Sequence, residues 1–234
     1  MHYHRIKHAT FLKRPNRFIA HVMVDGQEEI VHVKNTGRCL ELLQPKAAVI
    51  LEQAENPHRK TKYSLIGVYK KDTLINIDSQ APNTVVGEGI VQNKIKELPK
   101  VSVLKKEVTY GHSRFDWYFE TLRTKGFIEV KGVTLENQGL ALFPDAPTAR
   151  GTKHIYEMMD AVKNGYQGLI IFLIQMQGVS AFTPNLPMDA KFSAALVRAR
   201  DEGVNILAYD ALVTPDEITI GGKINVLFPD SLNI

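Results

Sequence analysis

Apolar and polar residues alternate over residues 115–120: Phe115, Trp117 and Phe119 are apolar, and Asp116, Tyr118 and Glu120 between them are polar or amphipathic. A period of two predicts a strand with one buried face. The alternation returns after a polar turn, where Ile128 and Val130 interleave with Glu129 and Lys131. If the two runs pair as a hairpin, their apolar sets share a face only when the loop holds an even number of residues. The loop Arg123-Thr124-Lys125-Gly126 has that parity, and it places Asp116, Glu120, Glu129 and Lys131 together on the polar face.

The first eighty or so residues read as short strands between turns. Phe18, Ala20, Val22 and Val24 alternate with Ile19, His21 and Met23, and Asp25-Gly26 marks a hairpin turn. Further strands are expected at 30–33, 47–51, 63–69 and 74–77, with Asn35-Thr36-Gly37-Arg38 as a turn. Strands at this spacing predict a small barrel, for which a five-stranded oligonucleotide-binding (OB-like) barrel is one candidate. Asn83, after Ala81-Pro82, reads as a helix N-cap, opening a linking helix weakened by Gly87 and Gly89 and stopped before Pro99.

Beyond residue 100 the texture changes. Strands are expected at 101–110, 114–120 and 127–135, then a helix at 152–164 with Ile155, Met158, Met159 and Val162 on one side and Gly165 as its stop. The apolar run 168–175 reads as a fully buried strand. Asp189 caps a helix carrying Phe192, Ala195, Leu196 and Ala199, ended by Gly203, and a buried strand follows at 204–213. Gly221-Gly222 reads as the turn of a terminal hairpin. The expected fold class is therefore α/β (α+β): an OB-like barrel over 1–82, a linker helix over 83–99 and a mixed-sheet α/β domain over 100–234.

Composition narrows the function classes. The chain has 234 residues, enough for one large or two small domains. Its longest apolar run, 169–174, is too short to span a bilayer, and the basic opening M-H-Y-H-R-I-K-H lacks the apolar core of a secretory signal. The single cysteine, Cys39, excludes an internal disulfide and suggests a reducing compartment, so a cytoplasmic protein with no membrane partner is expected. Residues 1–100 hold 16 Lys/Arg against 10 Asp/Glu, net +6, whereas residues 101–234 hold 13 against 15, net −2. The basic part either meets a polyanion or carries ordinary surface charge. Its cations cluster at turns: Arg14, Arg17, Lys34, Arg38, and Arg59, Lys60 and Lys62 before Tyr63. Basic side chains beside an aromatic suit a groove that tracks a nucleic-acid strand; a solvated rim is the alternative.

The Asp116…Glu129-x-Lys131 set has the residue types of a metal-dependent phosphodiester-cleaving site. Mg²⁺ or Mn²⁺ takes carboxylate oxygens, which Asp116 and Glu129 supply. The ion lowers the pKa of a bound water, and Lys131 orients that water or offsets transition-state charge. The competing reading is a solvated hairpin with cross-strand ion pairs. Three meander strands, a helix, a buried strand, a helix and a strand form the core layout of restriction-endonuclease-like, PD-(D/E)XK nucleases, although Phe115 stands where a proline often precedes the aspartate. Arg150, Lys153 and His154, at the start of the first long helix, form a phosphate-contact site or incidental charge beside Asp145. Glu107 could add a carboxylate or pair with Lys131, and Gln175 could turn its amide into the site; both are as readily structural. No nucleophile elbow, Walker loop or dinucleotide fingerprint is present.

These segments carry a resemblance. Asn16-Arg17-Phe18, Asn35-Thr36-Gly37-Arg38, Arg59-Lys60-Thr61-x-Tyr63, Ser113-Arg114-Phe115-Asp116, Glu129-Val130-Lys131, Phe143-Pro144-Asp145-Ala146, Arg150-Gly151-x-Lys153-His154 and Pro184-Asn185 occur in order over nearly the whole length. The chain resembles the sugar fermentation stimulation protein A family. That resemblance implies an OB-type barrel joined to a nuclease-like domain, and a DNA-binding protein linked to control of sugar, notably maltose, metabolism. It implies a metal on Asp116 and Glu129, with DNA contacts on the barrel and at Arg150, Lys153 and His154. The expected function is DNA binding with Mg²⁺- or Mn²⁺-dependent hydrolysis. A non-catalytic DNA-binding regulator and a carbohydrate-binding module are the alternatives. No helix carries a base-reading face, so low sequence specificity is expected. Oligomeric state stays open, a homodimer included.

Overall fold

The computed structural model describes residues 1–229 apart from 36, 38 and 57. The first domain is a closed barrel. Strands β1 (Ile6–Asn16), β2 (Ile19–Val24) and β3 (Gln27–Val33) form an antiparallel meander. Then β4 (Ala48–Gln53) pairs with the free side of β1, β5 (Tyr63–Lys70) with β4, and β6 (Thr73–Asn76) with β5. A short parallel contact, His32↔Ser64 and Val33↔Leu65, joins β3 to β5 and closes an OB-like ring of five strands in the order β1-β2-β3-β5-β4. The two-residue turn at Asp25-Gly26 uses positive φ at both positions, 50° and 81°, which matches the twist of the flanking strands.

Five strands were expected here, but membership differs. The ring includes β1, which the pattern hid, and leaves β6 outside as an extension of β5. Phe11 is the only buried side chain of β1, so no alternation is visible along it.

The chain leaves the barrel through Asp78, whose Oδ1 accepts from the Gln80 N–H at 2.9 Å, and enters α1 (Ala81–Val91). Asn83 is therefore not the N-cap; it lies inside the helix, whose cap is Gln80. Nor is α1 a free linker over 83–99. It is shorter, and it buries Ala81, Val85, Val86 and Ile90 in a cluster that joins Ile50 and Ile66 of the barrel to Trp117, Ile128 and Leu169 of the second domain. The glycines that weaken it in isolation are contact points: a Cβ on Gly87 would lie 2.3 Å from Trp117 Cζ2, and one on Gly89 3.0 Å from Ile220 Cγ2.

The second domain is built on a nine-stranded mixed sheet. In chain order come β7 (Val103–Tyr110), β8 (Ser113–Glu120), β9 (Lys125–Val133), β10 (Leu135–Asn137), β11 (Leu140–Phe143), α2 (Ala149–Lys163), β12 (Gln167–Ile174), β13 (Ala181–Pro184), α3 (Ala190–Asp201), β14 (Asn205–Val213) and β15 (Ile218–Val226). The sheet order is β10-β11-β13-β15-β14-β12-β9-β8-β7, with β9, β12 and β14 parallel. Strand β12 is buried on both faces: Ile170, Phe172 and Ile174 meet the α2–α3 layer, and Leu169, Ile171 and Leu173 meet the α1 layer. Side chains cap α2 and α3, Thr148 accepting from Gly151 N and Asp189 from Phe192 N. The terminal hairpin does not turn at Gly221-Gly222. Both lie within β15, where a Cβ on Gly221 would sit 2.3 Å from Asp210 Oδ1 and Gly222 N donates to that oxygen at 2.6 Å.

The domains meet through buried polar groups. Gln175, just past β12, donates from Nε2 to Asn76 Oδ1 at 2.8 Å and to Asp78 O at 3.0 Å, while Asn76 N donates to Gln175 O at 2.9 Å. Asn76 also donates to the Tyr3 hydroxyl at 2.9 Å. Lys70 on β5 meets Glu136 on β10 at 2.6 Å.

Candidate active site

The ladder between β8 and β9 runs from Glu120↔Lys125 to Trp117↔Ile128. Its loop is Thr121–Thr124, two residues earlier than expected but of the same even parity. Past Trp117 the Asp116 side chain takes over, and Val130 N donates to Asp116 Oδ2 at 2.7 Å. Trp117, Phe119, Ile128 and Val130 share the α1 side as expected, but Phe115 does not. It packs at the α2 side, 5.2 Å from the Phe127 ring and 6.2 Å from that of His154.

Each carboxylate is held by a different helix. On the α1 side, Asn83 donates from Nδ2 to Asp116 Oδ1 at 2.8 Å. On the α2 side, His154 Nδ1 lies 2.6 Å from Glu129 Oε1, and Lys131 Nζ donates to that same oxygen. Glu129 Oε2 is also buried, and no described residue bonds it. Burial and then the charge of Glu129 push the Asp116 carboxyl above its ordinary value, which the Val130 N–H, Asn83 and Lys131 offset only in part. Burial also pushes Glu129 up, but His154 and Lys131 outweigh it and hold that carboxyl below the usual range.

Asp116, Glu129 and Lys131 are thus brought together. Among the described residues, no group of three or more His, Cys, Asp or Glu side chains is arranged to hold a metal. The pair of carboxylates suits an ion that keeps water and phosphate oxygens in its remaining positions, as Mg²⁺ commonly does. The orphaned Oε2 fits that role, since a buried acceptor without a donor calls for a partner.

Other expected residues lie elsewhere. Glu107 is exposed and faces Arg114 at 3.7 Å, while Lys131 pairs with Glu129. Gln175 belongs to the domain joint. His154 is not a surface donor to DNA; it is buried and bonded to Glu129. Tyr63 is not a stacking platform, because it is 4 % exposed and sits in the barrel core. The Arg14 guanidinium donates to the carbonyls of Arg17, Asn35 and Gly37 at 2.6–2.8 Å, so it braces the barrel loop. Lys34 pairs with Asp78 at 3.2 Å. Arg17, Lys60, Lys62 and Arg150 are exposed, and Arg59 is half-buried. Lys153 is exposed and donates to His112 O at 2.9 Å. Arg38 lies outside the described residues. Sequence reasoning missed Asn83 as a partner of Asp116, because residues 33 positions apart in the chain give no local signal of contact.

An OB-like barrel followed by a restriction-endonuclease-like domain, with an Asp…Glu-x-Lys set where two strands part, defines the class of protein. The profile of the SfsA N-terminal OB domain matches residues 12–77, and that of the sugar fermentation stimulation protein RE domain matches residues 80–217. A sugar fermentation stimulation protein homolog from Alkaliphilus oremlandii is 57 % identical over 231 residues, covering 97 % of this chain and 98 % of the relative. One from Clostridium beijerinckii is 52 % identical, covering 97 % and 100 %. Among solved structures, Pyrococcus furiosus SfsA in complex with Ca²⁺ is 28 % identical with a TM-score of 0.89, covering 97 % of this chain and 98 % of its own. The chain belongs to the sugar fermentation stimulation protein (SfsA) family. No described helix is long and apolar enough to cross a membrane.

Proposed function

We propose that this chain binds DNA with little sequence preference and hydrolyses its phosphodiester bonds, using Mg²⁺ or Mn²⁺ on Asp116 and Glu129. The observation that carries the reading is the buried, unpartnered Oε2 of Glu129 beside a second carboxylate. Leaving such an acceptor unpaired costs about 1–3 kcal/mol, which a bound ion would offset. The Ca²⁺ complex of the Pyrococcus furiosus relative supports the reading, because Ca²⁺ shares the preference for oxygen ligands.

When bound, the ion supplies a more acidic water and offsets charge on the phosphate. The protein groups orient and bind. Asn83 and the Val130 N–H fix the Asp116 carboxylate from two sides. His154 fixes Glu129, and Lys131 is placed to move its Nζ from Glu129 to a phosphate oxygen or the attacking water. Exposed Arg17, Lys60, Lys62 and Arg150 neutralise backbone phosphates.

The test incubates plasmid and single-stranded DNA with Mg²⁺ or Mn²⁺ and compares wild type, Asp116→Ala and Lys131→Ala. Cutting by wild type alone is expected. Equal cutting by all three would mean a contaminant and end the nuclease reading. Binding without cutting by wild type would leave the second reading, a non-catalytic regulator of sugar metabolism genes.

A further inference from the structure

A cleft of about 160 Å³ opens at the carboxyl ends of the parallel strands β9 and β12, lined at β9 by Gly132, the residue after Lys131. Open α/β sheets commonly bind ligands at such strand ends. Gly132 and Thr134 form its floor, and Asn35 and Gly37 of the barrel close one wall. It therefore exists only when both domains are present.

Among the described residues the wall is a one-sided chemical surface. Their side-chain donors and the Gly37 N–H are committed: Asn35 Nδ2 donates to Ile77 O at 2.9 Å, Gly37 N to Asn35 Oδ1 at 2.7 Å, and Ser79 Oγ to Lys34 O. Acceptors remain. Gln175 is 2 % exposed and bonds its described side-chain partners through Nε2 alone, leaving Oε1 without a partner among the described residues. The Asp145 carboxylate likewise has none there. Two glycines make room for these oxygens: a Cβ on Gly132 would lie 2.5 Å from Gln175 Oε1, and one on Gly37 2.6 Å from Asp145 Oδ2. Phe143, steadied by the rings of Phe172 and Phe192 at 5.5 and 5.2 Å, adds an aromatic wall.

We propose that this cleft receives one nucleobase swung out of the strand beside the scissile phosphate, and that it favours cytosine. An acceptor-lined wall repels phosphate and welcomes N–H groups. Carboxylates accept from the cytosine N4 amine, whereas thymine turns a carbonyl oxygen to the same place. At ~30 Å³ per water the cleft holds roughly five, which suits one ring better than two. Phe143 offers a face or edge to that ring. Extrusion costs least from single-stranded DNA. The inference rests on the DNA-binding reading above.

The test uses full-length Lys131→Ala protein, to stop cutting, and fluorescence anisotropy with thymidine oligomers of roughly 15 nucleotides, about one OB-fold site in length. One central thymidine is kept, replaced by cytidine, or made abasic. Cytidine is expected to tighten Kd about tenfold over thymidine. Adding Asp145→Ala is expected to abolish that preference, with all-thymidine affinity held within about twofold. Equal affinity for all three oligomers would overturn the base pocket while leaving DNA binding intact. No binding of any oligomer at low salt would instead bring down the DNA reading itself. Mn²⁺ alone broadening the Asp145 resonance, with no cytidine preference, would make the cleft a cation site and refute the proposal.

Discussion

His154 lies with Nδ1 2.6 Å from Glu129 Oε1, and it fixes which oxygen of that carboxylate is left open. Glu129 is held below the usual carboxylate range, so it is ionised and the imidazole must donate. Lys131 donates to the same oxygen, and Oε2 stays bare. Removing the imidazole in His154→Ala strips one donor from a buried anion. The expected cost is about 1.5–3 kcal/mol in urea unfolding. Mn²⁺ affinity by calorimetry should fall about 10–100-fold, as for other groups that orient a metal-binding carboxylate. His154→Gln, which can still donate, should recover part of both. Unchanged Mn²⁺ affinity in His154→Ala would detach this pair from the metal site.

Gly87 is expected to be the least replaceable residue of α1. A Cβ there meets Trp117 Cζ2 at 2.3 Å, so Gly87→Ala must push the helix or the indole aside. Overpacking costs about 1–3 kcal/mol, against a helix-propensity gain of about 1 kcal/mol, so the net effect is destabilising. The denaturation midpoint should fall with an unchanged m-value. Asn83 rides on the same helix, so displacement should also loosen its bond to Asp116 and weaken metal binding. A wild-type midpoint would show that Trp117 yields at a cost no larger than the helix-propensity gain.

What the sequence disclosed about this site follows from what a period can and cannot encode. Loop parity set the faces of the paired residues Trp117, Phe119 and Ile128, and it survived a two-residue error in the loop because both counts are even; Asp116, beyond the ladder, is placed by the Val130 N–H and Asn83. Period could not reveal that the paired ladder ends at Trp117, which is why Phe115 was assigned to the wrong face. Strand β1 stayed hidden because it buries one residue, Phe11, and so has no alternation to read. Tyr63 and His154 were mistaken for surface contacts because neighbouring charges describe a segment, whereas burial is decided by which element packs over it. Gly87 and Gly221 read as a helix weakness and a turn; each is a close approach to a neighbouring element, Gly87 to Trp117 on β8 and Gly221 to Asp210 on β14.

The ion pair between the domains should make their contact acid-sensitive. Lys70 and the Gly139 N–H hold the Glu136 carboxyl below its ordinary value. A depressed carboxylate contributes stability at pH above its unfolded pKa of about 4.3, and that stability is lost as pH falls through the folded value. Loosening is therefore expected on acidification below about pH 4.5, not on alkalinisation. Hydrogen exchange should report it at the β5–β6 hairpin and at Gly139, ahead of the barrel core. Lys70→Met should already exchange faster at neutral pH and show a smaller acid response. Identical acid responses in the two proteins would assign the effect to other carboxylates.

Basic residues of the barrel divide by exposure, and DNA binding should follow that division. Lys60 and Lys62 are exposed, whereas Tyr63 is in the core and Arg14 braces three carbonyls. A cation that meets phosphate contributes through counterion release, so Lys60→Glu should weaken binding to every sequence about equally. It should also reduce the slope of log K against log salt by about 1. Tyr63→Ala should act through the fold, costing about 3–5 kcal/mol of stability as for other large buried aromatics. The slope for the fraction that remains folded should be unchanged. Titration of labelled single-stranded DNA at several salt concentrations, alongside urea unfolding of each variant, separates the two effects. A Lys60→Glu slope equal to wild type would remove this face of the barrel from the DNA path and leave Arg150 and its neighbours on α2 as the anchor.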